Sequence, residues 1–126
     1  MLSSEKLVGF VATAAPAKSQ EFYENTLGLQ LLESSPFAMV FKAGSTTVRV
    51  QMVQSVVVSG YTALGWQVSN IARTVDELAS RGVKFQRYEG MNQNEAGIWR
   101  TPDGSQVAWF KDPDGNTLSV TELVAA

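Results

Sequence analysis

The side chains that could do chemistry in this sequence are few, because it contains no histidine and no cysteine. The commonest general base and the commonest metal ligand are therefore missing. Disulfides, thiolate metal sites and a cysteine nucleophile are excluded as well. Ser119, in the stretch TLSVT, has no base marked out to activate it as a nucleophile, so we interpret it as an inert strand residue.

Composition narrows the class of protein. The chain has 126 residues, 44% of them hydrophobic and 17% charged, with a net charge of −2. This balance predicts one domain with a packed core and argues against binding to nucleic acid or to an anionic membrane. No apolar run reaches the roughly 18–20 residues of a membrane helix. No signal peptide is recognisable at the N-terminus, so we expect a cytoplasmic protein.

The first half of the chain predicts one supersecondary unit over about residues 5–53. An apolar strand from Leu7 to Thr13 comes first. The stretch AKSQEFYENTLG then predicts a helix closed by Gly28. Three strands follow in LQLLESS, FAMVFKAG and TTVRVQMV. The segment of about residues 54–61 changes character and is interpreted as a linker.

The same order then repeats over about residues 62–124. A strand in ALGWQVS precedes a helix with Asn70 as its N-cap and Gly82 at its end. Strands are predicted in VKFQRYEG, GIWRT, SQVAWFK and NTLSVTEL. The sequence therefore predicts an internal duplication of one β-α-β-β-β unit.

Two four-residue turns, TPDG and DPDG, each have proline at the second position and glycine at the fourth. Proline presets φ, and Gly104 and Gly115 can accept a positive φ. We expect Asp112 and Asp114 to serve the second turn structurally.

These elements, with SQEFYENTLGLQLL after the first strand and WFKDPDGNTLSV before the last, resemble the vicinal oxygen chelate superfamily. That superfamily contains glyoxalases, bleomycin-resistance proteins, fosfomycin-resistance enzymes and extradiol dioxygenases, and the resemblance covers nearly the whole chain. It implies an α+β fold in which two βαβββ repeats form a partly open, eight-stranded barrel-like sheet with the helices outside. The site would lie on the concave face. A homodimer is also implied, with the apolar run from Val56 to Val58 as a candidate contact.

The resemblance also implies where a metal would be held. Enzymes of the superfamily usually bind it through four positions filled by His and Glu. Matched through the motifs, these positions fall on Val8, Arg49, Ala63 and Ser119 of this sequence. None of the four is a carboxylate or an imidazole, and Arg49 adds a positive charge. We therefore expect no metal and no cofactor, and we favour a protein that is not an enzyme.

Strand alternation separately predicts a small or polar row of the concave face that contains Arg49, Gln51, Gln67, Ser119 and Thr121. Phe10 shares its side of the first strand with Val8, and the register implied by the resemblance adds Trp109. Trp99 is expected on the same face. The row of small and polar residues is expected to be hydrated, and the opposite row, including Trp66, to pack in the core. An aromatic groove with one arginine suits a small organic ligand that is aromatic or anionic, with Arg49 gripping the anion.

The favoured function is thus metal-free binding of a small molecule, of the glyoxalase or bleomycin-resistance type, with no catalytic residue assigned. The main alternative is a metal-dependent lyase, isomerase or dioxygenase-like enzyme with non-standard ligands such as Glu33 or Glu89. A metal-free enzyme in which Arg49 polarises a carbonyl is a third hypothesis. Simpler roles also remain open: Arg49 paired with a carboxylate on a neighbouring strand, and Trp99 and Trp109 in the core or a dimer interface.

Overall fold

The computed structural model describes residues 1–124 and contains two copies of the predicted supersecondary unit. A short 3₁₀ turn, Leu2–Ser4, precedes the first copy. The first copy comprises β1 Val8–Thr13, α1 Pro16–Glu21 with a π-helical continuation Phe22–Thr26, β2 Gln30–Ser34, β3 Ala38–Ala43 and β4 Thr46–Met52. The second comprises β5 Leu64–Gln67, α2 Ile71–Ser80, β6 Trp99–Arg100, β7 Gln106–Lys111 and β8 Thr117–Glu122. The predicted α+β class with two βαβββ repeats is confirmed.

The chain divides into two compact units, each with its own sheet. The first unit is Met1–Val58 with Pro113–Gly115, and the second is Ser59–Asp112 with the residues from Asn116 onward. The four strands of the first sheet lie in the order β1-β4-β3-β2, and those of the second in the order β5-β8-β7-β6. In both sheets the first strand pairs in parallel with the last strand, and the other pairs are antiparallel.

The core of the first unit lies between its sheet and its helical segment. Phe41, Val48 and Val50 are at most 4% exposed, and Tyr23 of the helical segment is fully buried. The rings of Tyr23 and Phe41 have centroids 5.8 Å apart. The segment ends where Gly28 takes a φ of 75°, as its position in the sequence predicted.

The second unit is built in the same way around α2. Asn70 caps this helix, its Oδ1 accepting a hydrogen bond of 3.1 Å from the Arg73 N–H. Ile71, Val75 and Leu78 form the buried face that the sequence predicted. They pack in a core with residues of β7 and β8 that are at most 3% exposed: Ala108, Phe110, Leu118 and Val120. Trp66 lies in the β5 row predicted to pack in the core, but it is only partly buried.

One predicted strand, in VKFQRYEG, does not form. Phe85 makes a single bridge to Phe110, and the Gln86 N–H donates to the Trp109 carbonyl over 2.7 Å. Beyond these contacts the backbone leaves the sheet, because polar side chains between residues 87 and 98 pair with the loop's own backbone. The prediction of a strand there was wrong, and β6 contains only Trp99 and Arg100.

The two proline-glycine turns take the expected conformation, with φ values of 92° at Gly104 and 89° at Gly115. The Thr101 hydroxyl and the Ser105 N–H both donate hydrogen bonds to the Asp103 carboxylate. These bonds, the one from Thr101 most strongly, lower the pKa of that carboxyl below its ordinary 3.8. Asp112 serves its turn as predicted, accepting hydrogen bonds from the backbone and side chain of Asn116.

Asp114 has a wider role in the first unit than the turn alone. Its Oδ1 accepts a hydrogen bond of 2.9 Å from the Ala14 N–H, just before α1. The Ser19 hydroxyl lies 3.1 Å from Asp114 Oδ2 and 2.7 Å from Thr13 Oγ1. Thr13 and Ser19 are fully buried, so this carboxylate satisfies polar groups at the start of the helix that water cannot reach.

No helix among residues 1–124 is long and apolar enough to cross a bilayer.

Replacing Asp114 with alanine should lower the free energy of unfolding by about 1–2 kcal/mol, because the Ala14 N–H and the Ser19 hydroxyl both lose an acceptor. Urea denaturation followed by circular dichroism measures the change. Asp76→Ala, on the exposed face of α2, is the control and should change stability by less than about 0.5 kcal/mol. Equal effects of the two substitutions would contradict this role of Asp114.

Candidate functional site

Arg49 lies on the face of the first sheet opposite the core. It pairs in register with Phe10 on β1 and with Val40 on β3, so the three side chains share one face, here called the Arg49 face. Phe10 is 53% exposed and Arg49 is partly buried. Gln51, the next outward residue of β4, pairs with Ala12 and Ala38 and is exposed. The strand alternation read from the sequence thus places Phe10, Arg49 and Gln51 together.

The Arg49 guanidinium forms no ion pair and no hydrogen bond within residues 1–124. The carboxylate partner considered as a simpler role is therefore absent from the described chain. Glu33 shares the cross-strand row, but Val40 separates it from Arg49. A partly buried guanidinium keeps its planar set of N–H donors, which matches the oxygens of a carboxylate or phosphate. The Arg49 face can accordingly bind an anion.

The corresponding face of the second sheet centres on Ser119, and we call it the Ser119 face. Ser119 pairs with Gly65 on β5 and with Trp109 on β7. Thr121, two residues further, pairs with Gln67 and Val107. Gln67 is exposed and Thr121 is partly buried. Ser119 is only 7% exposed, so the expectation of a hydrated row is wrong at this position, where the residue lies between two neighbouring strands.

Three aromatic rings meet on the Ser119 face. The ring centroids of Trp99 and Trp109 are 6.1 Å apart, and the ring planes are tilted by 32°. Tyr88 lies at 87° to Trp109 with centroids 5.5 Å apart. We call Tyr88, Trp99 and Trp109 the aromatic wall. Both tryptophans are partly buried and Tyr88 is 39% exposed, so the wall retains surface for a ligand.

The sequence predicted the two tryptophans of this wall but missed Tyr88. Trp99 pairs with Val107, two residues from Trp109 along β7, which puts both indoles on the same side. Tyr88 precedes an irregular loop, where strand alternation gives no direction for a side chain. Its aromatic character beside a glycine-bounded polar segment was the one signal available.

The positions that the resemblance links to a metal do not fit one. Val8 pairs with Thr47 and has no donor atom, and Ala63 has only its backbone, whose N–H donates to the Thr117 carbonyl. Arg49 is a cation, and Ser119 alone offers a neutral oxygen. No group of three or more His, Cys, Asp or Glu side chains gathers anywhere in residues 1–124. Glu33 and Glu89 therefore do not assemble the non-standard ligand set considered above.

Two cavities lie within the second unit. One of about 300 Å³ is lined by Gly65, Trp66, Gln67, Thr121 and Leu123, and so includes two predicted groove residues. The other, of about 540 Å³, lies between α2 and residues 83–98. Its lining includes Phe85, whose ring contacts Phe110 in the core, so it is on the helix side of the sheet. None of the predicted groove residues lines this larger cavity.

The sequence model of the Glyoxalase/Bleomycin resistance protein/Dioxygenase superfamily matches residues 9–120, which cover nearly all of both βαβββ repeats. The chain belongs to this superfamily. A search of curated protein sequences found no significant match to this chain.

Solved structures share the fold. A member of the same superfamily from Sphaerobacter thermophilus is 19% identical in sequence, with a TM-score of 0.74. The match covers 98% of this chain and 100% of the Sphaerobacter chain. A glyoxalase/bleomycin resistance protein/dioxygenase from Alicyclobacillus acidocaldarius is 15% identical with a TM-score of 0.72, covering 97% and 93%. A lactoylglutathione lyase from Agrobacterium tumefaciens is 18% identical with a TM-score of 0.70, covering 94% and 93%. At these identities the likeness is one of fold.

Gly65 leaves the space that the Ser119 hydroxyl occupies. A Cβ added at Gly65 would lie 2.8 Å from Ser119 Oγ, closer than unstrained atoms approach. We expect Gly65→Ala to lower the free energy of unfolding by about 1–3 kcal/mol through this overlap. The measurement is chemical denaturation of the purified variant.

The double variant Gly65→Ala with Ser119→Ala should regain much of the lost stability, because the overlapping oxygen is gone. Gly60→Ala, where an added Cβ meets nothing within 4 Å, is the matched control. A double variant no more stable than Gly65→Ala would show that the two residues do not compete for space.

Proposed function

We propose that this member of the superfamily binds a small organic molecule and uses no metal ion to do so. Two surfaces support the proposal, each within its own unit. Arg49 of the first unit recognises an anionic group, and the aromatic wall of the second unit recognises a planar ring. Metal-dependent lyase, isomerase and dioxygenase chemistry is not favoured, because the superfamily's metal positions hold Val8, Arg49, Ala63 and Ser119.

The state of Arg49 is the observation that carries the proposal. Arg49 is a partly buried residue paired in register with Phe10, and its guanidinium lacks a carboxylate partner within residues 1–124. Partial removal from water makes an unpaired charge costly and strengthens its attraction for an opposite charge. The same charge repels a cation. A position that serves metal binding in related enzymes thus favours an anionic ligand here.

The aromatic wall supports the second half of the proposal. Two indoles tilted by only 32° present a broad apolar surface, and Tyr88 stands nearly perpendicular to one of them. A planar ring that stacks on Trp109 would meet Tyr88 edge-on. Stacked and edge-on contacts are the two favoured aromatic geometries. Ligand sites commonly combine such apolar surface with a few polar groups that fix orientation.

The probe is 2-naphthoate, with two analogues that each lack one feature: naphthalene-2-carboxamide lacks the charge that Arg49 would recognise, and cyclohexanecarboxylate lacks the ring that the aromatic wall would recognise. Arg49→Met should weaken 2-naphthoate binding about 10- to 150-fold and leave the carboxamide nearly unchanged, the loss expected for a charge-assisted hydrogen bond. Isothermal titration calorimetry measures both affinities. Arg73→Met, on the exposed face of α2, is the control for removing a positive charge.

In ¹H–¹⁵N NMR spectra, the indole N–H signals of the three tryptophans report the same titration residue by residue. Trp99 and Trp109 should shift on adding 2-naphthoate, whereas Trp66, in the opposite row of the second sheet, should not. Absence of saturable binding by any of the aromatic anions would refute the proposal. So would a tightly held Zn, Ni, Mn or Fe at one ion per chain in protein purified without chelator.

We further propose that the protein is a homodimer, as the resemblance implies, and that it acts in the cytoplasm, as expected from the absence of a recognisable signal peptide. The run from Val56 to Val58 leaves Val57 92% exposed and Val58 47% exposed, an apolar surface suited to a second copy. Light scattering should therefore give a dimer mass for the wild type and a monomer mass for Val57→Asp. Glu95→Asp, a substitution on an exposed loop, should leave the dimer intact. A monomeric wild type would contradict the proposal.

A further inference from the structure

The loop between the end of α2 and β6 is ordered by its own side chains. The Arg87 guanidinium donates to three backbone carbonyls, those of Gln93, Asn94 and Glu95, at 3.3, 2.8 and 3.3 Å. Asn94 Oδ1 accepts hydrogen bonds from the N–H groups of Ala96 and Ile98 at 3.0 and 2.9 Å. A loop whose backbone is satisfied in this way has few alternative conformations to adopt.

Gln93 links the two ends of this loop. Its side-chain Nε2 donates to the carbonyls of Gln86 and Gly97, both at 2.9 Å. Its Oε1 accepts a hydrogen bond of 2.7 Å from the Tyr88 N–H. Its backbone also forms a bridge with Trp99. The amide of one partly buried side chain therefore fixes the backbone of Tyr88, while its own backbone meets the strand that carries Trp99.

We propose that Tyr88 is a ligand-contacting residue that determines specificity, and that Gln93 is the positioning residue that holds it against Trp109. This inference rests on the proposed function. The Tyr88 ring closes one end of the aromatic wall at nearly a right angle to Trp109. Its hydroxyl forms no hydrogen bond within residues 1–124, which leaves it available to a polar group on the ligand.

Preorganisation is the physical reason that Gln93 should matter for affinity. A loop that becomes ordered only on binding loses conformational entropy at that step, which weakens the affinity. A loop that is already ordered does not carry this cost. Removing the Gln93 side chain frees the Tyr88 N–H and the carbonyls of Gln86 and Gly97 but leaves the three rings of the aromatic wall chemically unchanged. The ring of Tyr88 would then sample several positions relative to Trp109.

The first measurement needs no ligand. Tyr88→Leu removes the aromatic ring current on Trp109 and should shift the Trp109 indole N–H signal. Gln93→Ala should shift the same signal in the same direction, because the Tyr88 ring no longer stays in place. Asn92→Ala changes an exposed neighbour whose side chain forms no hydrogen bond with residues 1–124, so this matched control should leave the signal unchanged. A Trp109 signal unmoved by Gln93→Ala would overturn the positioning role.

The second measurement uses 2-naphthoate and cyclohexanecarboxylate as probes. Tyr88→Leu and Gln93→Ala should each weaken 2-naphthoate binding about two- to tenfold, the range expected for one aromatic contact, and leave cyclohexanecarboxylate unchanged. Tyr88→Phe should retain the wild-type preference for the aromatic probe. Wild-type affinity for 2-naphthoate in both Tyr88→Leu and Gln93→Ala would overturn this inference and leave the proposed function standing. No binding by the wild-type protein would overturn both.

Discussion

The parallel pairing of the first strand with the last strand in each unit determines the faces on which the candidate site depends. These strands are far apart in sequence, yet their register sets Phe10 beside Arg49 and Gly65 beside Ser119. Because side chains alternate along a strand, a shift of one residue would turn Arg49 into the core and Val48 or Val50 out of it. The buried valines on one face therefore hold the arginine on the other.

That constraint has a chemical consequence in a chain without histidine or cysteine. The strand positions matched through the resemblance hold Val8 and Arg49 in the first unit and Ala63 and Ser119 in the second, and function follows from such residues rather than from the fold. In this chain they comprise one cation, two aliphatic side chains and one hydroxyl. Such a set offers a metal ion no negatively charged ligand, and its one cation is the group on which the proposed recognition of an organic anion depends.

The loop of residues 87–98 shows how polar residues can replace a strand. Arg87, Gln93 and Asn94 direct their hydrogen bonds to the loop's own backbone, which keeps it out of the sheet while leaving it ordered. Tyr88 consequently reaches the indole of Trp109 from outside the strand pattern. The Asp114 carboxylate acts similarly in the first unit, where a turn residue distant in sequence satisfies the start of α1.

The sequence by itself determined the repeated βαβββ order, the helix ends at Gly28 and Gly82, and the row containing Arg49. These depend on local periodicity and on backbone conformations that few residues adopt. Only the tertiary structure decided that Arg49 has no carboxylate partner among residues 1–124, that Ser119 is buried and that Tyr88 joins the aromatic wall. Each of those facts depends on contacts between residues distant in sequence or on an irregular loop, neither of which leaves a periodic pattern in the chain.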